Sequence, residues 1–164
     1  GRATPTFYFS NVTEVHFYHS QAKDFSPLEG LPNLEILFLG NSQVSDLSSL
    51  KGLTNLYYLN LRSTPVADFS PLKYLTNLKT LHLDGTSIID LSPLDGLTNL
   101  RFLDLDGTQV KNLAPLVGLT NLEELRLSDT QVSKEDIQRL QKALPKCKIW
   151  WDGMYLFRSP NQVR

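Results

Sequence analysis

The sequence predicts an α/β solenoid, a stack of short strand-and-turn units, and three observations predict it. A 22-residue pattern occurs six times without insertion, in units starting at Tyr8, Gly30, Gly52, Tyr74, Gly96 and Gly118. Each unit carries an alternating segment such as Leu81-His82-Leu83, the mark of a short half-buried strand. Three units then carry Ser-Pro, at Ser26-Pro27, Ser70-Pro71 and Ser92-Pro93, which suits the start of a short helical turn. One unit cannot bury its own leucines, so the units must stack. Stacked strands form a parallel sheet with a step of about 4.8 Å per unit. The turns on the other side are wider than strands, so the sheet curves with its strands on the concave side.

Along a unit, the strand leucines point inward and the residues between them outward. A Ser/Thr column follows at Ser20, Ser42, Thr64, Thr86, Thr108 and Thr130, and two residues later Ala22, Val44, Val66, Ile88, Val110 and Val132 are expected to turn inward. Then come Asp24, Asp46, Asp68 and Asp90. In the Ser-Pro turns, Ser is expected to cap and Pro to take the first helical position. An Asn column (Asn11, Asn33, Asn55, Asn77, Asn99, Asn121) suits the return to the next strand, since Asn tolerates left-handed backbone and bonds nearby backbone groups.

The ends of such a stack expose core and need covers. Ser133-Lys134-Glu135-Asp136 reads as a helix start, with Asp136 in the acidic position of a capping box. Ile137, Leu140 and Leu144 follow at helical spacing, Pro145 stops the helix, and Lys148-Ile149-Trp150-Trp151 reads as a closing strand. The cap therefore spans residues 133–152 and overlaps the last of the repeats, which occupy 8–139. Residues 153–164 read as a tail, with Met154 to Phe157 apolar enough to pack back. Residues 1–7 form an N-terminal extension, and Thr6 to Phe9 is read as a covering strand or a shield for the divergent first unit.

The L-x-x-L-x-L spacing, the D-[LF]-S-P-L segments and the G-L-T-N-L restarts resemble the leucine-rich repeats of bacterial proteins, in particular the 22-residue internalin-like class, over residues 8 to 139. The run from Val132 to Ile149 resembles the C-terminal caps of bacterial repeat proteins. The resemblance implies a leucine-rich-repeat solenoid: a curved right-handed superhelix with a parallel sheet on its concave face, short turns or 3₁₀ helices on its convex face, and a C-terminal helix-strand cap. It permits host-surface adhesion among other binding roles, because such repeats serve many partners. Where the family often has an Asn ladder, this chain has its Ser/Thr column, whose hydroxyls bond backbone locally but reach less far.

Composition narrows the function classes. The chain has 164 residues, 41% hydrophobic and 20% charged, with a net charge of −1. No global field draws it to nucleic acid or an anionic membrane. Its apolar runs are too short for a membrane span. It opens Gly1-Arg2-Ala3-Thr4-Pro5, with neither initiator Met nor visible signal peptide, which points to a processed or excised piece. Either a bacterial cytoplasm or a secreted or cell-surface setting is compatible with this. The single cysteine, Cys147, allows no intrachain disulfide and is expected to be a buried apolar filler.

Two motifs invite chemistry. Phe102-Leu103-Asp104-Leu105-Asp106-Gly107-Thr108 resembles the nucleophile segment of haloacid-dehalogenase-type phosphatases, where a first Asp attacks phosphate and a second serves as acid/base. The same columns read Leu81-His82-Leu83-Asp84-Gly85-Thr86 one unit earlier, so the motif falls out of the repeat, and no catalysis is expected. Asp104-x-Asp106-Gly107 also resembles the opening of a calcium loop, but the rest of that loop is missing. In the stack, Asp84 should lie beside Asp106 and His82 beside Asp104, chiefly as a solvated acidic patch, with a docking surface or a local cation site as alternatives. His16 and His82 share a column three units apart, too far to hold one ion. No metal ligand set and no cofactor is assigned.

What remains is the outward side of the strands. Three columns face it: Glu14, Ile36, Tyr58, Thr80, Phe102 and Glu124; His16, Phe38, Asn60, His82, Asp104 and Arg126; and Tyr18, Gly40, Arg62, Asp84, Asp106 and Ser128. Large apolar groups at positions without core duty, mixed with charges, are typical of an interface. The expected contact set is Ile36, Phe38, Tyr58, Arg62, His82, Asp84, Phe102, Asp104, Asp106 and Arg126. The function expected is a protein-interaction module with an unidentified protein partner, self-association included. The alternatives are a carbohydrate- or ligand-binding surface with Tyr58 and Phe102 stacking on a sugar, and a recognition domain excised from a larger enzyme or signalling protein.

Overall fold

The computed structural model describes residues 11–152 and the backbone of Met154–Leu156. The expected extension at 1–7, the start of the first unit at Tyr8 and Phe9, and residues 157–164 lie outside the described residues.

Seven strands run parallel in one sheet in chain order: β1 Glu14–His16, β2 Ile36–Phe38, β3 Tyr58–Asn60, β4 Thr80–His82, β5 Phe102–Asp104, β6 Glu124–Arg126 and β7 Lys148–Trp151. Their register is that of the repeat, with Val15, Leu37, Leu59, Leu81, Leu103, Leu125 and Ile149 aligned. From Leu37 to Ile149 this central row is wholly buried. β8, Met154–Leu156, pairs antiparallel to β7, within the stretch assigned from sequence to the tail.

Each unit returns through a short 3₁₀ turn: Ser26–Gly30, Ser48–Leu50, Ser70–Tyr74, Ser92–Leu94 and Ala114–Leu116. Sheet on one side and turns on the other, with leucines filling the space between, form the solenoid. The inward column is buried from Val44 to Val132, whereas Ala22 is exposed, contrary to expectation. Phe25 is buried in the first unit, as Leu47, Phe69, Leu91 and Leu113 of the same column are in theirs, and Phe17 packs edge-on against it at 5.3 Å.

The turns are capped differently from expectation. Ser is the first helical residue, and the residue two places earlier caps it. Asp24, Asp46, Asp68 and Asp90 each accept the backbone N–H of Ser26, Ser48, Ser70 and Ser92 at 2.8–2.9 Å. Asn112 does the same for Ala114 at 2.9 Å. A side-chain oxygen bonding backbone two residues on is an Asx turn, which Asp and Asn make more readily than Ser.

The Asn column works across units, not within them. Asn55, Asn77, Asn99 and Asn121 donate Nδ2 to the carbonyls of Pro32, Thr54, Thr76 and Thr98, 23 residues back, at 2.8–3.0 Å. None of these is left-handed. The left-handed residue of each unit falls just after the strand, at His19, Asn41, Ser63, Gly85, Gly107 and Asp129. There the chain turns while still donating to the next unit, as from Asn41 to Arg62, Ser63 to Asp84, Gly85 to Asp106 and Gly107 to Ser128. The Ser/Thr column bonds locally as expected: Thr64, Thr86, Thr108 and Thr130 donate to the carbonyls of Leu61, Leu83, Leu105 and Leu127.

The C-terminal cover is α1, Lys134–Ala143, which buries Ile137 and Leu140. Ser133 caps it, accepting the Asp136 N–H at 3.1 Å. Asp136 does not complete the expected box by reaching back to the backbone; its carboxylate accepts the Ser133 hydroxyl at 2.6 Å. Cys147 is buried, and that burial pushes its thiol up to about 12, so it is an inert filler.

Candidate functional site

Strand alternation sends the first two outward columns to the face of the sheet away from the leucines. A line of rings crosses that face. Tyr18 meets Phe38 at 5.1 Å, Phe38 meets Tyr58 at 4.8 Å, Tyr58 meets His82 at 5.7 Å and His82 meets Phe102 at 4.9 Å, all tilted. The Arg126 guanidinium lies over Phe102 at 5.1 Å from its centroid and ends the line. His16 joins the other end against Phe38 at 4.5 Å. Such ring contacts contribute about 0.5–1.5 kcal/mol each beyond buried area. They hold half-buried rings in place before any partner arrives.

Gly40 makes room for this line. A Cβ there would meet Asn60 Oδ1 at 2.8 Å and the Tyr18 ring at 3.6 Å. The Asn60 oxygen is itself fixed, accepting the Arg62 N–H at 3.0 Å.

Beside the rings lies a charged cluster. Asp84 and Asp104 are buried, at 8% and 6% exposure, and so are not the solvated patch expected from sequence. Asp84 Oδ2 pairs with Arg62 Nε at 3.2 Å. Asp104 Oδ1 accepts the Asp106 N–H at 3.1 Å, while its Oδ2 lies 3.7 Å from Arg126 Nη1 and 3.9 Å from His82 Nδ1. Asp106 Oδ1 accepts the Ser128 N–H at 2.6 Å. Burial, the largest influence, pushes the Asp104 and Asp106 carboxyls above the ordinary range. Burial likewise pushes His82 down, against the opposing pull of Asp104 and Asp84, so its imidazole is held toward the neutral form.

All ten residues expected at the site fall on this one face. Phe38, Tyr58, His82, Phe102 and Arg126 lie in the ring line; Arg62, Asp84, Asp104 and Asp106 join the cluster; Ile36 stands half-buried in β2 beside Tyr58 in register. His82 lies beside Asp104 in register, as expected, and Asp84 joins them to form one group. Tyr18, 46% exposed, and Trp150, 41% exposed and opposite Arg126 in β7, extend the face beyond the expected set. Carrying the columns through the cap helix into Lys148-Ile149-Trp150 would have found Trp150. The phosphatase-like segment is one repeat strand with its turn, and its two carboxylates accept backbone N–H groups.

An open parallel sheet with 3₁₀ returns, single-residue leucine rows and a capping helix defines a leucine-rich-repeat solenoid. The chain belongs to that family: residues 32–74, 76–118 and 98–146 match the family described as Leucine Rich repeats (2 copies). Among solved structures it is similar to an internalin (inlF) of Listeria monocytogenes, at 27% identity and a TM-score of 0.76, over 87% of this chain and 48% of that one. It is also similar to internalin C2 of Listeria monocytogenes, at 27% identity and a TM-score of 0.67, over 86% of this chain and 71% of that one. A leucine-rich-repeat protein of Leptospira interrogans shares the fold at 24% identity and a TM-score of 0.62, over 79% and 40%. No curated protein matches in sequence. The chain thus spans about half the length of the first of these structures. Its repeats are of the bacterial internalin-like class. No helix among the described residues is long and apolar enough to cross a membrane.

Proposed function

We propose that this chain is a non-enzymatic protein-interaction module that docks a protein partner across its sheet face. Leucine-rich repeats are in general interaction modules, with extended surfaces used for binding. The observation that carries the proposal here is the continuous ring line from Tyr18 to Phe102, closed by Arg126. Aromatic and Arg anchors in a preformed patch are what interface hot spots are made of. Tyr58 and Phe102 are the central anchors, Phe38 and Ile36 flank them, and the Arg62, Asp84, Asp104, Asp106 and Arg126 group supplies orientation by charge.

The test is affinity capture from lysate and from extracellular material with wild type and a Tyr58→Ala/Phe102→Ala variant, both shown to be folded by circular dichroism. A protein recovered by wild type and lost by the variant supports the proposal. Equal recovery by both, or capture of glycans in place of proteins, overturns it.

A further inference from the structure

We propose that His82, Asp84 and Asp104 form a site for one divalent cation of the zinc class in the middle of the sheet face. Each offers one ligand atom, an imidazole nitrogen or a carboxylate oxygen, and the three atoms lie within 4.8 Å of one another. They come from two adjacent units. His82 ends β4, Asp84 follows two residues later on the same side, and Asp104 is the register partner of His82 in β5.

Burial and an orphaned oxygen distinguish this group from an ordinary acidic patch. Asp84 and Asp104 are only 8% and 6% exposed, so water reaches little of either residue. Asp84 Oδ1 is fully buried and accepts no hydrogen bond. A buried carboxylate oxygen is normally matched by a donor or a cation. Arg62 reaches only the other oxygen, and its own side chain is 62% exposed. At Asp104, Arg126 Nη1 and His82 Nδ1 stand 3.7 and 3.9 Å from Oδ2, beyond hydrogen-bond length. Neither arginine therefore saturates the pair, and both reach it from partly exposed positions.

The donor set selects the ion. One imidazole nitrogen with two carboxylate oxygens suits Zn²⁺ and its first-row neighbours. Ca²⁺ takes about six to eight oxygens and Mg²⁺ demands an octahedral oxygen shell, neither of which these side chains supply. Ligands about 2.0–2.2 Å from a tetrahedral Zn²⁺ stand about 3.4 Å apart, so side-chain rotations must draw the three atoms together from their present spacing. Three protein ligands leave a fourth position for water or for a donor from another molecule. Cation binding by the chain alone does not depend on the docking proposal and is measured without any partner.

The experiment is calorimetric titration of the chelator-stripped chain with Zn²⁺, with Mg²⁺ and Ca²⁺ in parallel. One Zn²⁺ per chain is expected, with Mg²⁺ and Ca²⁺ far weaker. His82→Gln and Asp84→Asn should each weaken Zn²⁺ by more than the about tenfold that loss of a supporting group costs. Asp95→Asn, at the end of a 3₁₀ turn on the opposite side of the solenoid, should leave it unchanged. Co²⁺ bound to wild type and displaced by Zn²⁺ should give the visible absorption of a four-coordinate site, a readout that needs no variant. Absence of Zn²⁺ binding at submillimolar concentration, affinity unchanged in both ligand variants, or an octahedral Co²⁺ spectrum would each overturn the proposal.

Discussion

Gly107 holds a φ of +67° in the column where His19, Asn41, Ser63 and Asp129 hold 50–57°. Left-handed backbone costs a residue with a Cβ about 1–2 kcal/mol, and glycine escapes that cost. At Gly107 an added Cβ would meet only the Gly85 backbone at 3.9 Å. Gly107→Ala is therefore expected to lower stability in urea by about 1 kcal/mol, through conformation alone. Gly85→Ala should cost more, because its Cβ would also meet Ser63 Oγ at 2.9 Å. Equal losses at the two positions would refute this account. The column itself was not legible in the sequence. It mixes His, Asn, Ser, Gly and Asp, and only the turn geometry unites them, whereas the Asn column drew attention by its uniformity. The burial of Asp84 and Asp104 was hidden for a similar reason. An outward-facing carboxylate within an L-x-L segment, as Asp104, or just after one, as Asp84, reads as solvated until the arginines and rings of neighbouring units are seen beside it.

The 3₁₀ turns depend on one acceptor each, and that acceptor titrates. Hydrogen bonds from Ser26, Ser48, Ser70 and Ser92 hold Asp24, Asp46, Asp68 and Asp90 below the usual carboxylate value of 3.8 in the folded chain. Protons then bind the unfolded chain more readily. The stability these caps contribute is fully present above that value and is lost as pH falls below it. Asn112 caps the fifth turn without titrating. Asp68→Asn should keep the turn and lessen the loss of stability between pH 5 and about pH 2, measured by denaturant unfolding at each pH. An unaltered acid dependence would count against the cap assignment. Asn112→Ala removes a cap outright and is expected to cost about 1 kcal/mol at neutral pH. In the cover, Ile137 is fully buried against the last unit. Ile137→Ala should cost about 2–5 kcal/mol, read from the shift in urea midpoint. A loss under about 1 kcal/mol would mean that the helix is not packed as described. Strands, turns and cover were all legible because each repeats or ends a strict period. The capping residue was misassigned because Ser-Pro resembles an ordinary helix start, and the 3₁₀ turn begins one residue earlier than that pattern implies.

Across the whole molecule, the ring line is assembled from β1 to β5 with Tyr18 just beyond β1, and no unit contains more than a piece of it. The strip was readable in advance because the period aligns the columns and the strand alternation turns them outward. Its far end was not, since α1 interrupts the period before Lys148 and Trp150 resume the columns. Binding to such a strip should fall in steps. Tyr58→Ala or Phe102→Ala alone is expected to weaken capture of a partner by tenfold or more, about 1.4 kcal/mol, and the pair to abolish it. Full retention of binding by either single variant would place the contact elsewhere.

Asn55, Asn77, Asn99 and Asn121 each fasten to a carbonyl 23 positions earlier. The units starting at Gly52, Tyr74 and Gly96 therefore each carry a clasp for the unit before and an eyelet that takes the clasp of the unit after. A gene that copied one unit in place would add a link already furnished with both fittings, and one that dropped a unit would rejoin ends that already match. Growth by links moves the two end pieces apart by about 4.8 Å at a time. It would also carry new residues into the outward columns without disturbing those in place, so the span of the binding face can be reset while its core stays the same.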